Sequence, residues 1–185
     1  MDDIAAEAGI AKPIVYRHFA DKDGLYHALW ERYVETLMAK LREALRTAAD
    51  PHTRLEATIG TYLSFVEEER EAYRFLMHRV VREQPEGGAD VAGFIRRVAG
   101  EVSVVVREEL GRAGVDTGGV EPWAYGLVGM VYLAGDWWLE TGTMSRSQLV
   151  DYLVTLVWGG FGRLATAEPA RRATGSGGRR RARSR

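Results

Sequence analysis

The sequence predicts an all-α fold. Apolar residues recur at helical spacing along most of the 185 residues, Gly and Pro interrupt them where helices would end, and no stretch alternates as a half-buried strand would. With 46% hydrophobic and 28% charged residues, the chain folds around a core and is not a disordered polymer.

Taken in order, residues 2–8 form a short helix that Gly9 stops, since glycine tolerates positive φ. A second short helix runs over 12–18, with Pro13 in its first turn, where a missing N–H costs nothing. Asp21 then caps a long helix reaching about residue 49, with Leu25, Leu29, Tyr33, Leu37, Leu41 and Leu45 as its apolar stripe. Residues 51–69 and 70–83 follow as two further helices, and Gln84 to Gly88 reads as a loop. A long amphipathic helix over 89–111 precedes two helices at 121–141 and 147–165. Residues 166–185 are rich in Ala, Gly, Ser and Arg, have nothing to bury, and read as disordered.

The net charge of -1 hides a split. The segment from Thr166 onward carries +6 and the preceding 165 residues carry -7, so charge alone argues against nucleic-acid binding. The Arg-rich tail reads as a solvated, composition-biased segment, with non-specific phosphate affinity as the alternative. No cysteine is present, which excludes disulfides, thiolate metal sites and cysteine nucleophiles and fits a reducing, cytoplasmic setting. The acidic start Met1-Asp2-Asp3 has no apolar leader.

The last two helices are apolar around much of their circumference, and so must be covered on most faces. Asp136 lies inside the first one's 17-residue low-charge run, which is shorter than the ~20 residues a bilayer span needs, so no membrane partner is expected. A homodimer interface is expected instead, built from Leu127, Met130 and Val131 on one helix and Leu149, Leu153, Val157 and Phe161 on the other. Gly126, Gly129, Gly159, Gly160 and Gly162 would let helices cross closely in a two-plus-two bundle.

Residues 3–29, DIAAEAGIAKPIVYRHFADKDGLYHAL, give a helix, a short turn, a helix and a capped long helix. In Ile4-Ala5, Ala8-Gly9, Lys12-Pro13, Tyr16, His18-Phe19, Lys22 and Leu25 the segment resembles the DNA-binding part of the TetR family of bacterial transcriptional regulators. The geometry fits that resemblance. The turn at Gly9 aims the second helix at a major groove, with Lys12 and Pro13 leading. Tyr16, Arg17, His18 and Lys22 suit phosphate oxygens. Ile4, Ala8, Ile10, Val15 and Phe19 would form the small core behind them.

The chain departs from the family in two ways. A bracing helix precedes this pair in the family and is missing ahead of Met1, so Ile4, Ala8 and Phe19 are expected to be partly uncovered. Ala11 stands where the family has a Ser or Thr cap, a loss of about 0.5–2 kcal/mol.

The resemblance implies a helix-turn-helix segment at 1–29, an α-helical effector-binding and dimerisation domain at 30–165, and a tail at 166–185. It implies a ligand-responsive repressor that binds a palindromic operator on double-stranded DNA as a homodimer. An effector-binding dimer that has lost DNA binding by N-terminal truncation is the alternative. The middle helices would enclose an effector pocket for a small hydrophobic or aromatic molecule. Tyr62, Phe65, Tyr73 and Met77 are its candidate lining from two helices, and His78, Phe94, Trp123 and Trp137 complete the set.

No enzyme, metal or cofactor site is expected. The four His have no ligand spacing, no phosphate-cradling Gly loop is present, and no nucleophile is paired with a base. Asp136, amid Trp137 and Trp138, reads equally as a ligand or catalytic carboxylate or as a dimer-interface hydrogen-bond partner.

Overall fold

The computed structural model describes the backbone of residues 1–47, 50–82 and 87–166, and the side chains of 1–47, 50–77 and 91–160. Among the described residues there are eight helices and no strand: α1 (Asp2–Glu7), α2 (Lys12–His18), α3 (Lys22–Thr47), α4 (Pro51–Glu68), α5 (Arg70–Arg82), α6 (Gly87–Arg112), α7 (Val120–Thr141) and α8 (Arg146–Thr166). Gly87 and Gly88, expected in a loop, already belong to α6. Residues 167–185, most of the Arg-rich tail, lie outside the described residues, as do the side chains of His78 and Phe161.

The helix starts follow from side-chain chemistry. Asp21 Oδ1 accepts from Gly24 N at 2.8 Å and opens α3, as its sequence position predicts. Asp50 Oδ1 accepts from His52 N and Thr53 N, both at 3.0 Å, and opens α4 ahead of Pro51. Ala11 offers α2 no side-chain cap. Gly9, at φ +64°, supplies the left-handed residue that turns α1 into α2.

α4 lies between α3 and α8, and α7 runs along α6. The core gathers Leu37 and Met38 of α3, Leu63 and Val66 of α4, Tyr73 and Leu76 of α5, and Ala99 of α6 with Leu139 of α7. The Tyr26 hydroxyl near the start of α3 donates to the Leu76 carbonyl at 3.0 Å, tying α3 to α5. Gly135 marks the closest approach of α7 to α4: a Cβ there would stand 3.0 Å from Tyr62 Cε1 and 3.2 Å from Leu63 Cδ2.

Two expected faces are corrected. The buried stripe of α3 is Tyr26, Trp30, Tyr33, Val34, Leu37, Met38 and Leu41, while Leu29 is exposed and Leu25 and Leu45 are half-buried. A strict i+4 series advances about 400° per step and so drifts about 40° each time, whereas the observed mix of three and four holds one face. The core of the first two helices is smaller than expected. Ala5 and Val15 are buried there, Phe19 is half-buried, and Ile4, Ala8 and Ile10 are exposed because no described helix lies over them.

On α7 and α8, part of the face expected at an interface is turned inward. Val131, Leu149, Leu153 and Val157, assigned to a dimer interface, are buried within the single chain. Leu127 and Met130 are half-buried. The apolar residues left exposed are Tyr125, Leu133 and Trp137 on α7 and Tyr152, Leu156 and Trp158 on α8. Gly126, Gly129, Gly159 and Gly160 have nothing of this chain within 4 Å of a would-be Cβ, so they lie on open faces too.

Candidate DNA-reading face and interior cavity

The six residues expected at a DNA interface are all exposed on α2 and the first residue of α3. At 100° per residue, Lys12, Pro13, Tyr16 and Arg17 share one arc of α2, and the buried Val15 points away from it. His18 falls outside that arc, its ring tilted against Phe19 at 6.4 Å between centroids. Lys12 does not stand idle. Its Nζ pairs with Asp2 Oδ2 of α1 at 2.6 Å and lies 5.8 Å from the centroid of the Tyr16 ring. The hydrogen bond to Asp2 raises the Lys12 ammonium above its ordinary pKa and lowers the Asp2 carboxyl below its own. Both partners are well exposed, so the pair is weakly held and a base edge or a phosphate can take Asp2's place.

A second feature lies inside the helical domain. A cavity of about 310 Å³ opens between α4 and α6, with Pro51, Ala113 and Trp158 at its exposed rim. Leu55, Thr58, Val102 and Leu127 line it and also line a neighbouring smaller chamber of about 60 Å³. The smaller chamber is closed by Leu41, Ile59, Tyr62, Phe94, Val98 and Val131 among others.

Arg54 and Glu109 face each other across the wider chamber, Nη1 to Oε1 at 2.7 Å, and Arg112 Nη1 reaches the same oxygen at 2.6 Å. The Arg54 hydrogen bond, helped by Arg112, holds the Glu109 carboxyl below the usual carboxylate range against the opposing effect of burial. Beside the rim, the His52 and Trp158 rings meet edge to face at 4.9 Å.

Of the eight residues expected to line a pocket, Tyr62 and Phe94 face the inner chamber. Phe65 lines a surface groove between α3 and α4, and Trp123 one between α7 and α8. Met77 is buried in the core and Trp137 is exposed. Tyr73 is also buried, its hydroxyl donating to Asp136 Oδ1 at 3.1 Å. That bond is made within one chain. Burial pushes the Tyr62, Tyr73 and Tyr132 hydroxyls up, so all three stay protonated. Leu127, Val131 and Val157, expected between subunits, line these chambers, and Leu127, Val157 and Met130 also line the open groove between α7 and α8. Counting aromatic residues could not find these walls, because most are aliphatic and no sequence spacing links Leu55 to Val102 or Val157.

Among the described residues, no helix is long and apolar enough to cross a membrane, and no three acidic or His side chains are grouped to hold a metal.

Comparisons with known proteins match both halves of the chain. Residues 1–29 match the family model described as bacterial regulatory proteins, tetR family, and residues 40–176 match the tetracyclin repressor-like C-terminal domain. An uncharacterised HTH-type transcriptional regulator of Mycobacterium tuberculosis strain H37Rv is 38% identical over 85% of this chain and 67% of its own length. The HTH-type transcriptional activator FasR of Mycolicibacterium smegmatis is 29% identical over 87% of this chain and 73% of its own. A TetR-like regulator from Rhodococcus sp. RHA1 shares the fold with a TM-score of 0.67 at 24% identity, covering 87% of this chain and 83% of that one. The match at residues 1–29 falls on the reading helices themselves, and so speaks against the alternative of a dimer without DNA binding. On both halves, the chain belongs to the TetR family of bacterial regulatory proteins and is a DNA-binding transcriptional regulator.

Proposed function

We propose that the protein is a homodimeric, ligand-released repressor that reads a palindromic operator with α2 of each protomer. One observation carries the proposal: α3 begins at Lys22 beside the reading helix and, at Leu41 and Leu45, lines the interior cavity. Its 26 residues make a lever of about 39 Å. An effector filling the cavity presses on the far end of that lever and respaces two reading heads that must match half-sites about one helical turn apart. The exposed apolar faces of α7 and α8 support the dimer, since they are left uncovered in a single chain. Lys12 and Pro13 supply the leading contacts, and Tyr16, Arg17, His18 and Lys22 the flanking ones.

The test is selection of DNA from a random pool followed by sedimentation of the complex. The proposal expects an inverted repeat bound by two protomers, and reporter transcription that falls when the protein is supplied. A reporter that rises instead would make it an activator, the role named for the FasR relative.

A further inference from the structure

The proposed function puts α2 of each protomer on DNA with Lys12 leading, and the following inference rests on that reading. We infer that Asp2 is a positioning residue for DNA specificity. Its carboxylate keeps backbone phosphate off Lys12 and leaves the ammonium to the neutral acceptors of a base edge, foremost guanine O6 and N7.

The local fold brings the pair together. Lys12 opens α2 and Asp2 opens α1, and the turn at Gly9, closed by Ile10 N donating to the Ala5 carbonyl at 3.0 Å, brings the two side chains into contact. Lys12 Nζ donates to Asp2 Oδ2 at 2.6 Å, and the same nitrogen lies 5.8 Å from the centroid of the Tyr16 ring. A carboxylate and an aromatic face thus hold the ammonium over the exposed arc of α2. The two side chains are 54% and 62% exposed, so both meet whatever lies against the start of α2.

Charge then decides which acceptor Lys12 takes. An ammonium carries several N–H donors, and Asp2 occupies one of them. The donors that remain suit guanine O6 and N7, which bear no net charge and can approach beside the carboxylate. A phosphate is an anion. To reach Lys12 it must stand beside Asp2, where like charges repel, or push that carboxylate aside into the negative field of the duplex. Phosphate contact gives every DNA sequence its affinity, whereas base edges carry the sequence. A fixed negative charge beside the leading cation therefore lowers non-specific binding more than it lowers operator binding.

Salt titrations of the full chain on the selected operator and on scrambled DNA test this, with Asp2→Asn, Asp2→Glu, Asp3→Asn, Lys12→Ala and the double variant Asp2→Asn/Lys12→Ala. Asp2→Asn is expected to bind scrambled DNA about threefold tighter or more, with a salt slope steeper by about 1 per protomer, and to gain less on the operator. Asp2→Glu keeps the charge and should keep the parent's preference and slope. Asp3→Asn removes a charge from the same turn without touching the pair, and should leave the ratio of the two affinities unchanged. Asp2→Asn should likewise leave that ratio unchanged once Lys12 is alanine. The base pair whose preference Lys12→Ala relaxes should be G·C. If Asp2→Asn shifts neither DNA, shifts both by one factor, or still changes the ratio in the Lys12→Ala chain, the role of Asp2 is overturned and the reading of α2 stands. An A·T pair at the relaxed position would overturn the guanine assignment. Full operator preference in Lys12→Ala would overturn both this inference and Lys12 as a reader.

Discussion

At the scale of residues, the shared exposed face of the proposed DNA-reading positions was legible in the sequence because it is local. Lys12, Pro13, Tyr16 and Arg17 need only a helix of seven residues to share a face, and periodicity alone places them. The Lys12–Asp2 pair was not legible, since it crosses a turn whose geometry no spacing specifies. The rim of the cavity was hidden for the same reason: Arg54 and Glu109 are 55 residues apart in sequence. Their pairing has a consequence for acid stability. The Glu109 carboxyl titrates below its free value of 4.5 in the folded chain, so it contributes stability that is complete above that value and is lost as the pH falls through the folded one. Glu109→Gln should therefore lose less of its melting temperature than the parent does between about pH 6 and about pH 3. Parallel melting curves would show the pair to be irrelevant to folding.

At the scale of elements, helix positions followed from caps and breakers, while helix faces did not always follow from pattern. Asp21 and the Gly9 stop, at φ +64°, are local signals that hold in the structure. The inward sides of α7 and α8 were not legible, because a helix apolar nearly all round offers no contrast to show which side goes inward. Leu149, Leu153 and Val157 point at α4 and the cavity, while Tyr152 and Leu156 are left outside. Close helix approach is also a property of elements. Gly135→Ala would press a methyl against Tyr62 and Leu63, both buried and unable to give way, whereas Gly129 has open space in this chain. Alanine gains up to about 1 kcal/mol of helix propensity at either site, but overpacking costs about 1–3 kcal/mol. Urea unfolding should show Gly135→Ala less stable than the parent by about 1 kcal/mol, and a more stable variant would contradict the close approach.

At the scale of the whole molecule, an acidic body is matched to an anionic partner, so binding must come from a concentrated reading face and from two copies of it. The exposed apolar band on α7 and α8 is where a second copy would sit. Glu at Leu156, which is 63% exposed, should give a folded monomer; Glu at Leu153, 6% exposed, should unfold the chain by burying a charge. Sedimentation and circular dichroism of the two variants separate these outcomes, and a stable Leu156→Glu dimer would move the interface elsewhere.

The central claim is that α2 reads sequence while the start of α3 holds the backbone. It is tested most directly by a salt titration of binding to the selected operator and to scrambled DNA, using the parent chain, Lys12→Ala and Lys22→Ala. The account predicts that Lys12→Ala lowers the operator preference at least tenfold. Lys22→Ala should weaken both DNAs alike and make the salt slope shallower by about 1 per protomer. An unchanged operator preference in Lys12→Ala, or a parent chain that shows no preference at any salt concentration, would contradict it.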